Sequence, residues 1–344
     1  MTLGYFFNYN CNRLQLVSAG VYMKMDDIAK LAGVSKASIS RVLNNKPNIS
    51  DALREKVEAV LKTYDYQPNL MAQALNTNQT KLIGVLLPAI GLDIFSDIVH
   101  GISDILREQG YELILADSKG HIDQAKKYLE IFKSKQVDGV IYFPTVFSPE
   151  HIAYINRIKI PTIILGQCHN GLEKPSVAFP DVEASKKIVN YLYGLGCKKI
   201  VHIAMPKNHI IGELREQGYR EAMIALNLDP RVIYVNDLSY DSGYATGQKI
   251  TEADALFVAM DRLAIGALRY LLENNKKDIL VAGIDNMEVS SMISPSLTSI
   301  DFDYYLGGQS SGQMVLELIK GNDVVSKQLS YQLIERESTR RQHV

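Results

Sequence analysis

Asp26-Asp27-Ile28-Ala29-Lys30-Leu31-Ala32-Gly33-Val34-Ser35-Lys36-Ala37-Ser38-Ile39-Ser40-Arg41-Val42-Leu43-Asn44 is the stretch that decides how the N-terminal part of this chain folds. Ile28, Ala29, Leu31 and Ala32 give a first helix an apolar face. Gly33 supplies the positive φ of a tight turn, and Ser35 is a good N-cap for a second helix. Ala29, Val34, Ile39 and Val42 then form a small core between two crossed helices. An ordinary helical hairpin has the same pattern. So does a helix-turn-helix, whose second helix enters the DNA major groove N-terminus first.

The chemistry of the second helix suits DNA. Lys36, Ala37 and Ser38 open it and point outward; Lys36 suits guanine acceptors and Ala37 a thymine methyl. Arg41, one turn on, suits a phosphate or a base edge, while Ser38 and Ser40 suit phosphate oxygens. Between Met23 and Leu70, eight Lys/Arg oppose six Asp/Glu, a net of +2, so the motif and not bulk charge carries this reading.

Outward from this stretch the chain changes character. Pro68 to Lys81 is polar and reads as a linker. From Leu82 onward, short apolar runs alternate with amphipathic stretches. The runs are Leu82–Leu87, Tyr111–Ala116, Val137–Phe143 and Thr162–Leu165, then Lys199–Ala204, Val232–Val235, Ala255–Ala259 and Ile279–Ile284. Continuous apolar strands separated by helices imply a parallel sheet covered on both faces. Two doubly wound domains and one barrel both fit; a polar, proline-interrupted break at Gly171–Asp181 favours two halves. The chain has 344 residues, of which 47% are hydrophobic and 22% charged, with a net charge of −1, which excludes a disordered chain or a small disulfide scaffold. No apolar run is long enough for a membrane helix. Cys11, Cys168 and Cys197 lie far apart with no metal or redox spacing. The expectation is a cytoplasmic protein with no membrane partner and no cofactor.

The opening stretch is similar to the N-terminal signature of the LacI/GalR family of bacterial transcription regulators. The match continues through Asn44-Asn45-Lys46-Pro47-Asn48-Ile49-Ser50, Arg54-Glu55-Lys56-Val57, Tyr64-Asp65-Tyr66-Gln67-Pro68-Asn69 and Ala72-Gln73-Ala74-Leu75, resumes at Leu82-Ile83-Gly84-Val85, and spans nearly everything from Met23 to Arg340. The resemblance implies an α/β protein: an N-terminal all-α helix-turn-helix domain plus a periplasmic-binding-protein-like core of two doubly wound α/β subdomains. The implied division is an unmatched leader at 1–22, the reading head at 23–68, a hinge helix and linker at 69–81, and a core at 82–344. Within the core, subdomain 1 takes about 82–179 and 303–331, and subdomain 2 about 180–302 and 332–344. The resemblance also implies a hinge helix from Asn69 to Asn76 in the minor groove, with Leu75 as a wedge between base pairs. Gln73 stands where the family often has arginine.

In such cores the ligand sits beyond the carboxyl ends of the strands. Phe95, Asp117 and Gln167 follow or end apolar runs there, and Phe179 lies just before the crossover between the halves. Arg215 and Asp285 match an arginine and an acid that contact sugar hydroxyls in family members. Each has a plainer reading: Asp285 as a helix cap, Arg215 in a surface ion pair, Phe95 as core packing, Asp117 as a turn residue. The chain departs from the family pattern at Leu92, Leu238 and Met260. The Arg215 region and Leu165-Gly166-Gln167 resemble the sucrose- and trehalose-operon repressor type.

The function implied is a sequence-specific DNA-binding regulator, a repressor of a sugar-utilisation operon. Its partners would be double-stranded operator DNA, a small-molecule sugar or sugar-phosphate effector, and a second copy in a homodimer that matches operator symmetry. A global catabolite-control regulator with a phosphorylated carrier protein as corepressor is the alternative; it wants arginine where this chain has Ser294. An enzyme on the same architecture is the alternative of another class. The first strand is not followed by G-x-G-x-x-G, and Gly307–Gly312 lies in a late, helical segment.

Overall fold

The computed structural model describes residues 23–43, 47, 49–66 and 79–340. Asn69, Leu75 and the expected hinge helix lie outside the described residues, as does the leader. The chain divides into two units, Met1–Thr80 and Lys81–Val344.

In the first unit, helix α1 spans Met25–Ala32 and ends at Gly33, whose φ of 58° reverses the chain at no Cβ cost. Helix α2 follows at Lys36–Leu43 and helix α3 at Asp51–Thr63. Ser35 Oγ accepts the Ser38 N–H at 3.1 Å, and Ser50 Oγ accepts that of Leu53 at 3.4 Å, so serine hydroxyls satisfy orphan donors at both helix starts. The core is Ile28, Ala29, Ala32, Ile39, Val42 and Val57. Val57 comes from α3, so three helices close a core that the motif alone assigned to two. Each aliphatic chain buried here contributes about 1.5–3 kcal/mol.

The second unit contains two sheets. The first half runs β1 (Leu82–Leu87), α4 (Asp93–Glu108), β2 (Glu112–Asp117), α5 (Ile122–Ser134), β3 (Gly139–Tyr142), α6 (Pro149–Arg157), β4 (Thr162–Gly166) and β5 (Ser176–Ala178). The second half runs α7 (Asp181–Gly194), β6 (Ile200–Ala204), α8 (Ile210–Ala225), β7 (Arg231–Tyr234), α9 (Tyr240–Gly247), β8 (Ala255–Val258), α10 (Asp261–Glu273), β9 (Leu280–Ile284), α11 (Glu288–Met292) and β10 (Thr298–Asp301). The chain then returns to the first half with α12 (Tyr304–Ile319) and β11 (Lys327–Gln328), and ends in the second with β12 (Gln332–Ile334).

The sheets are ordered β11-β5-β4-β3-β1-β2 and β12-β10-β9-β8-β6-β7. All described pairings are parallel except β10 with β12. Two doubly wound halves replace the barrel alternative. Strand β5 falls inside the polar break at Gly171–Asp181, which the sequence reading took as a boundary. Its three residues, Ser-Val-Ala, are buried but too few and too small to make an apolar run. The Gly307–Gly312 segment is helical and serves packing: a Cβ on Gly308 would collide with the Ile98 carbonyl oxygen of α4. Close approach of two helix backbones explains Gly308, while the Phe179 ring crowds Gly307 and the Ile105 side chain crowds Gly312, so packing accounts for these glycines without a phosphate loop.

Three chain crossings join the halves, and aromatic rings gather there. Phe179 lies 4.9 Å from Tyr304 and 5.5 Å from Phe302 between ring centroids, and Phe302 lies 6.5 Å from Tyr331. Rings from all three crossings thus share one cluster.

Candidate effector cleft and nucleic-acid interface

The cleft of the second unit opens where both sheets present the carboxyl ends of their strands. In each sheet the neighbouring strands depart in opposite directions from the first strand of the half, which leaves a crevice at the switch point. The cleft measures about 200 Å3. The loops after β1, β2 and β3 line it with Pro88, Leu92, Lys119, Phe143 and Thr145, and the first turn of α4 adds Phe95. The loops after β6, β7 and β8 add Met205, His209, Leu238 and Met260. Asp181, Arg215, Asp285 and Tyr304 form the floor.

The floor is one connected network. Arg215, on α8, is 3% exposed. Its Nε donates to Asp181 Oδ1 at 2.7 Å. Its Nη1 donates to the Ala259 carbonyl at the end of β8 and to Asp285 Oδ1 at 3.4 Å. The Tyr304 hydroxyl donates to the same Asp285 oxygen at 2.7 Å. Burial pulls the guanidinium towards losing its proton, but the two carboxylates outweigh it and raise its pKa above the ordinary arginine range. Burial pushes Asp181 up to about 6, against the pull of Arg215. Asp285 is raised by burial in the same way. Behind it, Asp261 is pushed up to about 8 by burial and by the charge of Asp285. His209 is held neutral, its pKa lowered to about 4 by burial.

Two features of this floor single it out. Asp285 has a φ of 115°, a strained backbone for a residue with a Cβ, which costs of order 1–3 kcal/mol and recurs at ligand sites. Asp181 Oδ2 and Asp285 Oδ2 are also buried without a hydrogen-bond partner. A buried acceptor without a donor is costly, and both line the cleft.

Of the six residues expected at the ligand, Phe95, Phe179, Arg215 and Asp285 line the cleft. Phe95 also packs edge-on against Phe143 at 5.2 Å, so packing and lining coexist. Arg215 is in a buried ion-pair network and not a surface pair. Asp117 is outside the lining: its Oδ1 accepts the Lys119 N–H at 2.7 Å and shapes the turn that brings Lys119 to the cleft. Gln167 lies behind the wall, its Nε2 donating to the Pro144 carbonyl at 2.8 Å. Sequence reasoning missed Asp181 and Tyr304. Both open helices just after a crossing, and neither follows an apolar run, so no local signal marked them. Phe143 ends the run Val137–Phe143 and Met205 follows Lys199–Ala204; both were within reach of the strand-end rule.

In the first unit, Lys36, Ala37 and Arg41 are exposed on α2. Ser38 and Ser40 are half-buried on the same helix. Lys36 pairs with Asp26 at 3.2 Å with both side chains largely exposed, a contact weak enough to exchange for DNA. The Ser38 hydroxyl lies 2.9 Å from that of Ser35, which ties it to the cap as well as to the helix surface. Among the described residues, no His/Cys/Asp/Glu group fits a metal ion, and no helix is long and apolar enough to cross a membrane.

Comparison with known proteins places both units in one family. Residues 24–69 match the bacterial regulatory proteins of the lacI family, and residues 189–339 match the periplasmic binding protein-like domain. The HTH-type transcriptional regulator RegA of Clostridium saccharobutylicum is 33% identical over 91% of this chain and 98% of its own length. The HTH-type transcriptional repressor CytR of Escherichia coli (strain K12) is 29% identical over 92% and 96%. The crystal structure of the Lac repressor dimer, bound to operator and the anti-inducer ONPF, superposes with a TM-score of 0.86 at 28% identity, covering 93% of this chain and 99% of that one. With its helix-turn-helix and its two α/β halves, the chain belongs to the lacI family of bacterial regulatory proteins as a DNA-binding transcriptional regulator.

Proposed function

We propose that this chain is a homodimeric repressor of a sugar-utilisation operon, released from double-stranded operator DNA when a small sugar fills the cleft, and that it has no catalytic activity of its own. Lys36, Ala37, Ser38, Ser40 and Arg41 of α2 would read or position the duplex, with Asn69 and Leu75 of the hinge acting in the minor groove. Phe95, Phe179, Arg215 and Asp285 would hold the effector. Asp117 and Gln167 would support the loops around it.

The observation that carries this reading is the floor network. Asp181 opens α7 just after the first crossing and Tyr304 opens α12 just after the second, and Arg215 and Asp285 bridge them. A ligand hydroxyl that donates to the unpartnered Asp285 Oδ2 loads the same carboxylate that holds Tyr304 through Oδ1. Occupancy therefore biases the packing at the crossings, and with it the relation of the two halves. Differential affinity of the ligand for two arrangements of the halves is what a population shift requires.

The test is fluorescence anisotropy on promoter DNA from the neighbouring operon, with and without a sugar panel. Specific binding that a sugar weakens supports the reading; DNA binding that no sugar alters refutes it. Arg41→Ala should weaken operator binding and, if Arg41 holds a phosphate, lower the salt slope by about 1. An unchanged affinity at matched salt removes Arg41 from the interface.

A further inference from the structure

Three consecutive carbonyls in the loop after β3 each meet a donor. Gln167 Nε2 donates to that of Pro144 at 2.8 Å, and His151 Nδ1 donates to that of Val146 at 3.1 Å. Both donors belong to the first half. Between them, the Thr145 carbonyl accepts the Ile210 N–H at 2.8 Å, and Ile210 belongs to the second half. Away from the three crossings, this bond joins the halves directly across the cleft that Thr145 lines.

Ile210 is the first residue of α8, so its N–H finds no carbonyl within its own helix. The N-cap His209 takes the Gly212 N–H through its side chain at 3.4 Å and leaves that of Ile210 to the opposite half. The accepting loop carries Phe143 and Thr145 of the lining, and α8 carries Arg215 of the floor. A carbonyl whose neighbours on both sides are held keeps one direction, and here that direction is across the cleft. Both partners of the bond are backbone groups, so the protein makes it without a ligand.

We propose that the Thr145 carbonyl and the Ile210 N–H form a latch that holds the two halves together over the cleft floor, with Gln167 and His151 as the positioning residues that aim the loop. Arg215 is 3% exposed and Asp285 4%, so a ligand reaches them while the latch is open. Opening of the latch therefore limits how fast the cleft fills. The inference goes beyond the sugar-effector reading and holds for any ligand of the cleft.

Hydrogen exchange and spin-label distances on the full-length protein, with no ligand added, test this. The Ile210 amide should exchange at least about tenfold slower than its unprotected rate, the change that a hydrogen bond of ordinary net strength gives. Gln167→Leu should remove most of that protection while amides in the middle of α8 keep theirs. Ile210→Pro removes the N–H itself. Proline suits the first position of a helix, and His209 before it has extended backbone, so α8 is kept. Ile210→Ala, which shortens the side chain and keeps the N–H, is the control. Spin labels at Glu150→Cys on α6 and Gln217→Cys on α8, both exposed, read the distance between the halves. They are placed in a Cys11→Ser, Cys168→Ser background, and the labelled chain is diluted into unlabelled protein so that distances within one chain are read. Ile210→Pro should lengthen or broaden that distance relative to both wild type and Ile210→Ala. An Ile210 amide that exchanges at its unprotected rate, or one distance distribution shared by the proline and alanine variants, overturns the latch. Protection at Ile210 that survives Gln167→Leu overturns the positioning role of Gln167. Circular dichroism of each variant separates a lost helix from a lost latch. No sugar enters any arm, so these outcomes are distinct from failure of the sugar reading, which the DNA titration decides.

Discussion

The two halves of the core share a strand order and differ in what they set at the mouth of their strands. The first half supplies rings and aliphatic groups, Phe95 and Phe143 edge to edge at 5.2 Å with Leu92 beside them. The second half adds its own apolar groups, Met205, Leu238 and Met260, but what sets it apart is a buried guanidinium between two carboxylates, where the first half's polar lining is Lys119 and Thr145. The difference extends inside the sheets. Mid-strand in β1, Gly84 is covered by the Phe132 ring of α5, while mid-strand in β6, His202 is stacked 5.0 Å from Tyr219 and 4.5 Å from Phe257. One topology therefore carries two chemistries. Apolar walls gain from burial regardless of direction, whereas buried charges are stable only with partners at fixed geometry. The second half is the side where orientation is specified, and the first is the side where shape is accepted.

The asymmetry is most directly broken by Arg215→Ala. It leaves Asp181 and Asp285 buried without their shared cation and should cost about 3–5 kcal/mol of stability, read as a lower urea midpoint, together with loss of effector response. A wild-type midpoint would mean that the network is not what stabilises the second half.

A smaller effect is expected at His202. Burial lowers its pKa from the ordinary 6.5 to about 4, so its contribution to stability is full above the unfolded-state value and is lost as pH falls towards 4. Charging it should cost about 2 kcal/mol between roughly pH 7 and pH 5. Asp181 and Asp261, both raised by burial, change in the opposite sense over the acid range, since each holds its proton more tightly when folded. The informative comparison is therefore wild type against His202→Phe: the variant should lose less stability on acidification, whatever its midpoint at pH 7. Identical pH slopes would remove His202 from the account.

The smallest effect sharpens the comparison. Tyr304→Phe deletes the 2.7 Å bond to Asp285 while Arg215 still reaches the same oxygen, so stability should fall by about 1 kcal/mol. If Tyr304 links the floor to the second crossing, the ratio of operator affinity with and without effector should shrink more than effector affinity does. A proportionate loss of both would make Tyr304 a packing residue only.

The fold was legible wherever one element carried its own signal. Apolar runs such as Leu82–Leu87 and Ala255–Ala259 marked strands because a sheet covered on both faces needs hydrocarbon at every position. Strand β5 and β10 were not marked, because β5 is Ser-Val-Ala and β10 carries Thr298, Ser299 and Asp301. Among site residues, Phe95, Arg215 and Asp285 were found from strand ends and family likeness and Phe179 from its place before the crossover, while Asp117 pointed to the right turn but not to a lining role.

The sequence alone determined the reading head. Its first two helices, turn and cap are set by residues within a few turns of one another, from Ile28 through Gly33 and Ser35 to Val42, so local pattern suffices for them, and the fold adds only Val57 from the third helix. Only the tertiary structure decided the cleft floor. Arg215 meets Asp181 across 34 residues and Asp285 across 70, and Tyr304 meets Asp285 across 19. A buried charge takes whichever partner the chain crossings bring to it, and nothing in the local sequence of either partner records that meeting.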